Sequence, residues 1–360
     1  MISRVVLSVI GTALLLTASA AEPLDLIRQQ FEIYSRHSGE IELLHSGDTQ
    51  KIDGVLERTE KKRQDIRKAL ENQSGKSMRP PVFLEPEAAA PFLHYAAAEN
   101  AAANRAIQCG KPDAAADALS SIYRLTDELL LSKCPVNRTA AARIRLQTFD
   151  TVQTFCLHPC CRHKDHETLY RLFEDQLARR LNDKVIWTQY RQEGEKFYER
   201  IFRGGWEQIL PYELQQTLTK RNAFASYKKQ ITVRLKQDRE CFRQLMRAVI
   251  ESCECPYYQR QKVMAVLETE LRNRQGTPGE YVFAGLLLQE IPDSMRLFAQ
   301  ERTVNEMIYL SLSVSVKGQS QPKAKNFLTG SEYKVQPIPD GIMATYDENI
   351  KPFYLPYRSR

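Results

Sequence analysis

Residues 85–137 read EPEAAAPFLHYAAAENAAANRAIQCGKPDAAADALSSIYRLTDELLLSKCPVN, and this stretch decides the fold. An alanine-rich run with helical period extends from about Glu85 to Cys109, with Pro91 in its first turns. Gly110-Lys-Pro-Asp113 then stops one helix and starts the next. Glycine suits the residue after a helix C-cap, where φ turns positive, and proline suits the first helical turn, where its missing N–H is not needed. The following helix buries Ala118, Leu119, Ile122, Leu125 and Leu129 on one face. Pro135 and Asn137 open a third, which ends near His158-Pro159. Helix, tight turn, helix is the rule of this chain.

Outward from that stretch the same period recurs. Residues 24–46 and 49–72 read as two amphipathic helices, and Asn72 to Ser77 followed by Pro80-Pro81 reads as a linker. Downstream, Asp165 can cap a helix carrying Leu169, Phe173 and Leu177, and residues 185–202 continue the pattern to Gly204-Gly205. Residues 209–219 give a short helix and 223–252 a single long one, and Pro256 opens another to about Asn273. Beyond the Gly276-Thr-Pro-Gly279 breaker, Tyr333–Ile338 and Ile342–Tyr346 flank Pro339-Asp-Gly341 as a β-hairpin. The run 302–316 is ambiguous, because Leu310–Val316 alternates with serine as a strand would while its neighbours keep helical period. The expectation is an all-α fold: an irregular array of antiparallel helix pairs with a small C-terminal β-hairpin. Its expected divisions are an N-terminal helical hairpin over 21–75, a central array over 76–275, and a tail with the hairpin over 276–360.

Residues 1–20 set the expected address. Met1–Arg4 is a short positive segment, Val5–Leu16 is apolar, and Ala18-Ser-Ala20 is a small-x-small cleavage site. That order matches a secretory signal peptide and places the mature protein in the periplasm, cell envelope or extracellular space. No later apolar run is long enough to cross a bilayer. Export disfavours nucleic acid as a partner, although the chain carries 51 basic against 44 acidic residues.

In an oxidising compartment the eight cysteines, Cys109, Cys134, Cys156, Cys160, Cys161, Cys241, Cys253 and Cys255, read as disulfide candidates. Successive helices alternate between the two ends of an antiparallel array. Cys109 therefore meets the 156–161 cluster rather than Cys134. The same cluster offers Cys156, His158, Cys160, Cys161, His163 and His166 as candidate zinc ligands, since thiolate and imidazole are zinc's usual donors. The spacing fits no standard zinc site, and the competing reading is a helix-ending loop stapled by disulfides. Cofactors are therefore expected to be none. Cys253-Glu-Cys255 follows a helix C-terminus, whose dipole opposes a thiolate, so structural pairing is the favoured reading there.

Residues 218–247 hold nine basic groups against Asp238 and Glu240. Lys229, Lys236, Arg243 and Arg247 fall on one stripe and are candidates for weak anion binding, set against an ordinary solvated face. The chain has no H-E-x-x-H, G-x-S-x-G, phosphate-binding glycine loop or dinucleotide fingerprint.

DRECFRQLMRAVIESCECPYYQRQKVMAVLETEL (238–271) and LTGSEYKVQPIPDGIMATYDEN (328–349) resemble a broad group of exported, uncharacterised helical bacterial proteins with a short C-terminal hairpin. The likeness covers about the last two-thirds of the chain. It lacks that group's Asp-Pro-x-x-Gly before the hairpin and Asp-Asp-Gly after it. The resemblance implies a fold and an address, and no activity. The expected function is a non-catalytic binding or scaffold role in the periplasm or envelope, with envelope proteins or anionic envelope polymers as partners. The alternative is an exported metal-dependent or carboxylate-based hydrolase.

Overall fold

Gly110 takes a φ of +67° and Pro112 is the first residue of the next helix, so the stop-and-restart forms as its residues dictate. The computed structural model describes residues 23–36, 44, 49–72, 89–131, 133–210, 212–277, 279–318, 324–347 and 351–358. The signal peptide expected over 1–20 and the linker from Gln73 onward lie outside them.

The first helices are α1 (Pro23–Arg36), α2 (Thr49–Asn72), α3 (Ala90–Gln108), α4 (Pro112–Leu131), α5 (Pro135–Leu157) and α6 (His163–Ala178). Asn100 and Asn104 donate to Thr148 and Thr151 at 3.1 and 3.3 Å, so α3 and α5 run parallel with α4 returning between their ends. Next come α7 (Asp183–Gly204), α8 (Tyr212–Thr219), α9 (Asn222–Lys229), α10 (Ile231–Ser252), α11 (Tyr257–Arg274), α12 (Val282–Leu288) and α13 (Ile291–Lys317).

Two expectations change. The helix expected over 223–252 breaks at Gln230. Its first part must set Phe224 against Trp206, with ring centroids 4.6 Å apart, and Tyr227 against Phe283. Its second part must seat Phe242 on α7, and one straight axis does not serve both. At Gly194 of α7 an added Cβ would lie 2.3 Å from the Phe242 ring, so the missing side chain lets the two helices close. Asp165 is also not an N-cap: α6 begins at His163, and the Asp165 carboxylate reaches back to accept the Arg162 N–H at 2.7 Å.

The ambiguous run 302–316 is helical, as part of α13. Ser311 and Ser313 donate to the carbonyls of Met307 and Leu310 at 2.8 Å, which satisfies hydroxyls inside a helix buried on most of its surface. The N-terminal part of α13 packs Met295 and Phe298 into the core formed largely by α7–α12. Its C-terminal part packs Met307, Ile308 and Leu312 into the core of α3–α6 and the sheet. A third cluster joins α1–α5.

The sheet contains the expected hairpin, β1 (Lys334–Ile338) and β2 (Gly341–Thr345), and an antiparallel third strand, β3 (Phe353–Pro356). Val335, Ile342, Ala344, Phe353 and Leu355 turn inward. Gln153 of α5 pairs with the open edge of β3, accepting the Tyr354 N–H at 2.7 Å and donating to its carbonyl at 2.6 Å.

Candidate functional site

A cleft of about 530 Å³ opens where the α6–α7 and α10–α11 junctions meet α13 and residues 325–327. That volume lies within the usual range for small-ligand sites. Four cations reach it: Arg180, Arg260, Arg302 and Lys325. Arg302 and Arg260 lie 4.1 and 5.1 Å from the centre of the Phe327 ring, so both guanidiniums rest on an aromatic surface. Arg260 is held by Asp183 at 3.0 Å and by the carbonyls of Cys255 and Cys253 at 2.6 and 3.1 Å. Arg302 pairs with Glu306 at 2.6 Å, and Tyr333 donates to the other oxygen of that carboxylate. Lys325 is exposed at the rim.

Arg180 leads from this cleft into the interior. It donates to Glu301 at 3.1 Å, and Arg138 and Arg145 of α5 donate to the same carboxylate at 2.8 Å. Asn305 adds a fourth donor, and Arg145 also meets Asp127 at 3.0 Å. Burial alone would raise the Glu301 carboxyl, but Arg138, Arg180 and Arg145 together hold it far below the usual carboxylate range. Burial, with repulsion from Arg138 and Arg302, pushes the Arg180 guanidinium down to about 10 against the pull of Glu301. Three guanidiniums share Glu301, and the four cations of the cleft face the carboxylates of Asp183, Glu254 and Glu306.

This site was not singled out from the sequence. Its signal was present: Glu301 and Asn305, four residues apart, interrupt an apolar helical face, and Arg138 and Arg145 stand two turns apart on one side of α5.

The singled-out segment 156–166 forms a tight knot between α5 and α6. His158-Pro-Cys-Cys161 is a β-turn with proline at its second position, closed by the Cys161 N–H to the His158 carbonyl at 3.0 Å. Cys156 and Cys161 face the core, whereas Cys160 is half-buried with its Sγ 2.9 Å from His158 Nδ1. His163 turns instead to Glu167 at 3.3 Å. Among the described residues no three His, Cys, Asp or Glu side chains gather into a metal shell.

His166 is fully buried beside the Cys156 backbone, and burial pushes its imidazole down to about 4. Its ring should therefore stay neutral through the mildly acidic range. The check is NMR of the folded protein, in which the His166 ring protons titrate with a midpoint near 4; a midpoint near the ordinary 6.5 would contradict this.

The described residues include all eight cysteines, and no disulfide joins any two of them. The bridge expected from Cys109 into the 156–161 cluster is not made in this structure, although α3 and α5 run parallel and so end on the same side. Cys109 ends α3 exposed to solvent, while Cys156 and Cys161 are packed inward. Cys134 is buried at the start of α5, and Cys241 is half-buried on α10. Cys253 is buried, with its thiol pushed up to about 12 by burial, and Cys255 is exposed beside the cleft.

The basic stripe divides. Lys229 ends α9, while Lys236, Arg243 and Arg247 lie exposed on α10. Glu195 of α7 takes Arg243 through Nε and Nη2 at 2.7 and 2.8 Å.

Fold and site together define an all-α protein with a small C-terminal sheet and an arginine-lined cleft, and no described helix is long and apolar enough to cross a membrane. Compared with known proteins, the chain matches no family model, no curated sequence and no solved structure.

Proposed function

We infer that this is an exported, non-catalytic binding protein whose cleft holds an acidic segment of a peptide. The carrying observation is Arg180, which lines the cleft while sharing Glu301 with two other buried arginines. A carboxylate entering beside Arg180, Arg260 and Arg302 would find planar donors suited to paired hydrogen bonds, and Phe327 would offer an apolar surface to the adjoining carbons. Residues 1–20 support export, because they have the order of a secretory signal peptide.

Asp238, a fully buried carboxylate of α10, already accepts from four protein donors. That arrangement favours a structural role for it.

The test is calorimetric titration of the mature protein with Asp/Glu-rich and Lys/Arg-rich peptides at two salt concentrations. The acidic peptides should bind and weaken with salt. Joint replacement of Arg302 and Lys325 by Gln should cost about tenfold or more in affinity, as expected for losing charge-assisted contacts of ~1.5–3 kcal/mol. Equal binding of both peptide classes, or no effect of the variant, would remove the proposal.

A further inference from the structure

We propose that Cys160, with His158 as its base, is a thiol–disulfide exchange site that accepts a small-molecule or protein disulfide. This turn lies apart from the cleft, and its basic atom is Nδ1 of His158. That atom receives the Cys160 backbone N–H at 3.3 Å and lies 2.9 Å from Cys160 Sγ. The backbone contact fixes Nδ1 as an acceptor, so the thiol is the donor in the second contact and the ring proton resides on Nε2. The two contacts aim one basic nitrogen at one sulfur.

Two helix ends meet at this turn, and they act on a thiolate in opposite directions. The C-terminus of α5 would disfavour it, and the N-terminus of α6, two residues beyond Cys161, favours it. Arg358 changes that balance. Its Nη2 lies 3.3, 3.1 and 2.8 Å from the carbonyls of Cys156, Leu157 and His158, which places a guanidinium over the negative end of α5. Asp165 is the opposing charge, and it is engaged by the Arg162 N–H. A residue near the end of the chain is thereby brought to a turn 200 positions earlier.

The neighbouring thiols differ in ways that make the assignment specific. Cys156 and Cys161 are buried, and burial pushes the Cys156 thiol up to about 12 and that of Cys161 higher still. Cys109 and Cys255 are more exposed than Cys160. Among the described residues neither of those two has an imidazole hydrogen bond. Among the described residues, only Cys160 combines access with an imidazole hydrogen bond.

In the exchange, the Cys160 thiol proton passes to His158 Nδ1 and the sulfur attacks one sulfur of the incoming disulfide. The new Sγ–S bond forms as the old S–S bond breaks. The departing thiolate leaves with the bonding electron pair and takes the proton from His158. Cys160 is oxidised to a mixed disulfide, and half of the incoming disulfide is reduced to a thiol.

The experiment exposes the native full-length chain to oxidised glutathione for short times at pH 7. The reaction is then quenched with acid, the remaining thiols are alkylated, and each cysteine is followed by peptide mapping. Cys160 should acquire glutathione about tenfold faster than Cys109 or Cys255, since an unassisted thiol is only a few per cent thiolate at that pH. His158→Gln should remove that advantage while leaving the Cys109 rate unchanged, and continued protection of the buried Cys156 and Cys161 reports that the fold is intact. Should the variant misfold, the wild-type pH profile decides: the Cys160 rate should persist to lower pH than the Cys109 rate. Equal rates at Cys160 and Cys109, or parallel pH profiles, would overturn the proposal.

Discussion

Replacing Glu301 with Gln should destabilise the folded protein by about 3–5 kcal/mol, the range found when one partner of a buried ion pair is removed. Glu301 is 0% exposed, and its carboxylate is the shared acceptor for Arg138, Arg145 and Arg180. Glutamine preserves the shape and one acceptor oxygen but removes the charge that offsets three guanidiniums. Arg145 retains Asp127 and Gln176, and Arg180 borders the cleft, so Arg138 is left with the largest deficit. Urea unfolding of the two proteins at pH 7 measures the loss. A difference below about 1 kcal/mol, the size of a surface pair, would mean that water reaches the cluster and screens it.

Asp238→Ala is expected to cost a comparable amount, roughly 4 kcal/mol, by a different route. Asp238 accepts from Tyr198 and Ala284 through Oδ1 at 2.6 Å, and from Tyr227 and Phe283 through Oδ2 at 3.0 Å. It thereby ties α10 to α7, α9 and the first turn of α12. Truncation strands these donors inside the protein, at about 1–3 kcal/mol for each that finds no substitute. The substitution should also alter the response to acid. Burial raises the Asp238 carboxyl from 3.8 to about 6, so the folded state takes up that proton first. Stability from this group therefore rises as pH falls through 6 and levels off below the unfolded value near 4. His166 works in the opposite sense: its folded value near 4 lies below the unfolded 6.5, and its contribution is lost over that interval as pH falls. Each amounts to about 3 kcal/mol, and the two nearly cancel between pH 6.5 and 4. Without Asp238 the His166 effect stands uncovered, so the variant should lose stability more steeply than the parent between pH 7 and pH 5. Parallel pH dependences in the two unfolding series would show that the Asp238 carboxyl is not perturbed.

The helices were legible because apolar residues recur at helical spacing and Gly or Pro marks their ends; Gly110 and Pro112 are the plainest case. The break at Gln230 was not legible, since no Gly or Pro marks it and its cause is the distant Trp206 and Phe283. β3 escaped notice because Phe353-Tyr-Leu-Pro is too short for a periodic signal and depends on β2 and Gln153 for its partners. The serines of α13 imitated strand alternation because hydroxyls that bond back to their own helix count as polar in a sequence and as satisfied in a core. The 156–166 segment stood out by its composition, and the sequence located its turn at a helix end. The inward packing of Cys156 and Cys161, which separates them from Cys109, is a matter of side-chain direction. Of the arginine-lined cleft, only the inner wall was legible, in Glu301 and the spacing of Arg138 and Arg145; the rest comes from segments far apart in the chain, and charge counting treats each arginine there as solvated.

Helix α13 also bears on the order in which the polypeptide can assemble. Arg138 is made 163 positions before the glutamate that receives it. A nascent chain that has reached the end of α12 has the apolar faces of α5, α6 and α7 but not the helix that lies against them, and its arginines still depend on water. Closing contacts of such long sequence separation is slow because loop entropy must be overcome first. The earlier helices can form locally as they emerge, whereas their final packing awaits the last fifth of the polypeptide. Until then the unfinished chain presents the exposed apolar surface on which holding chaperones act.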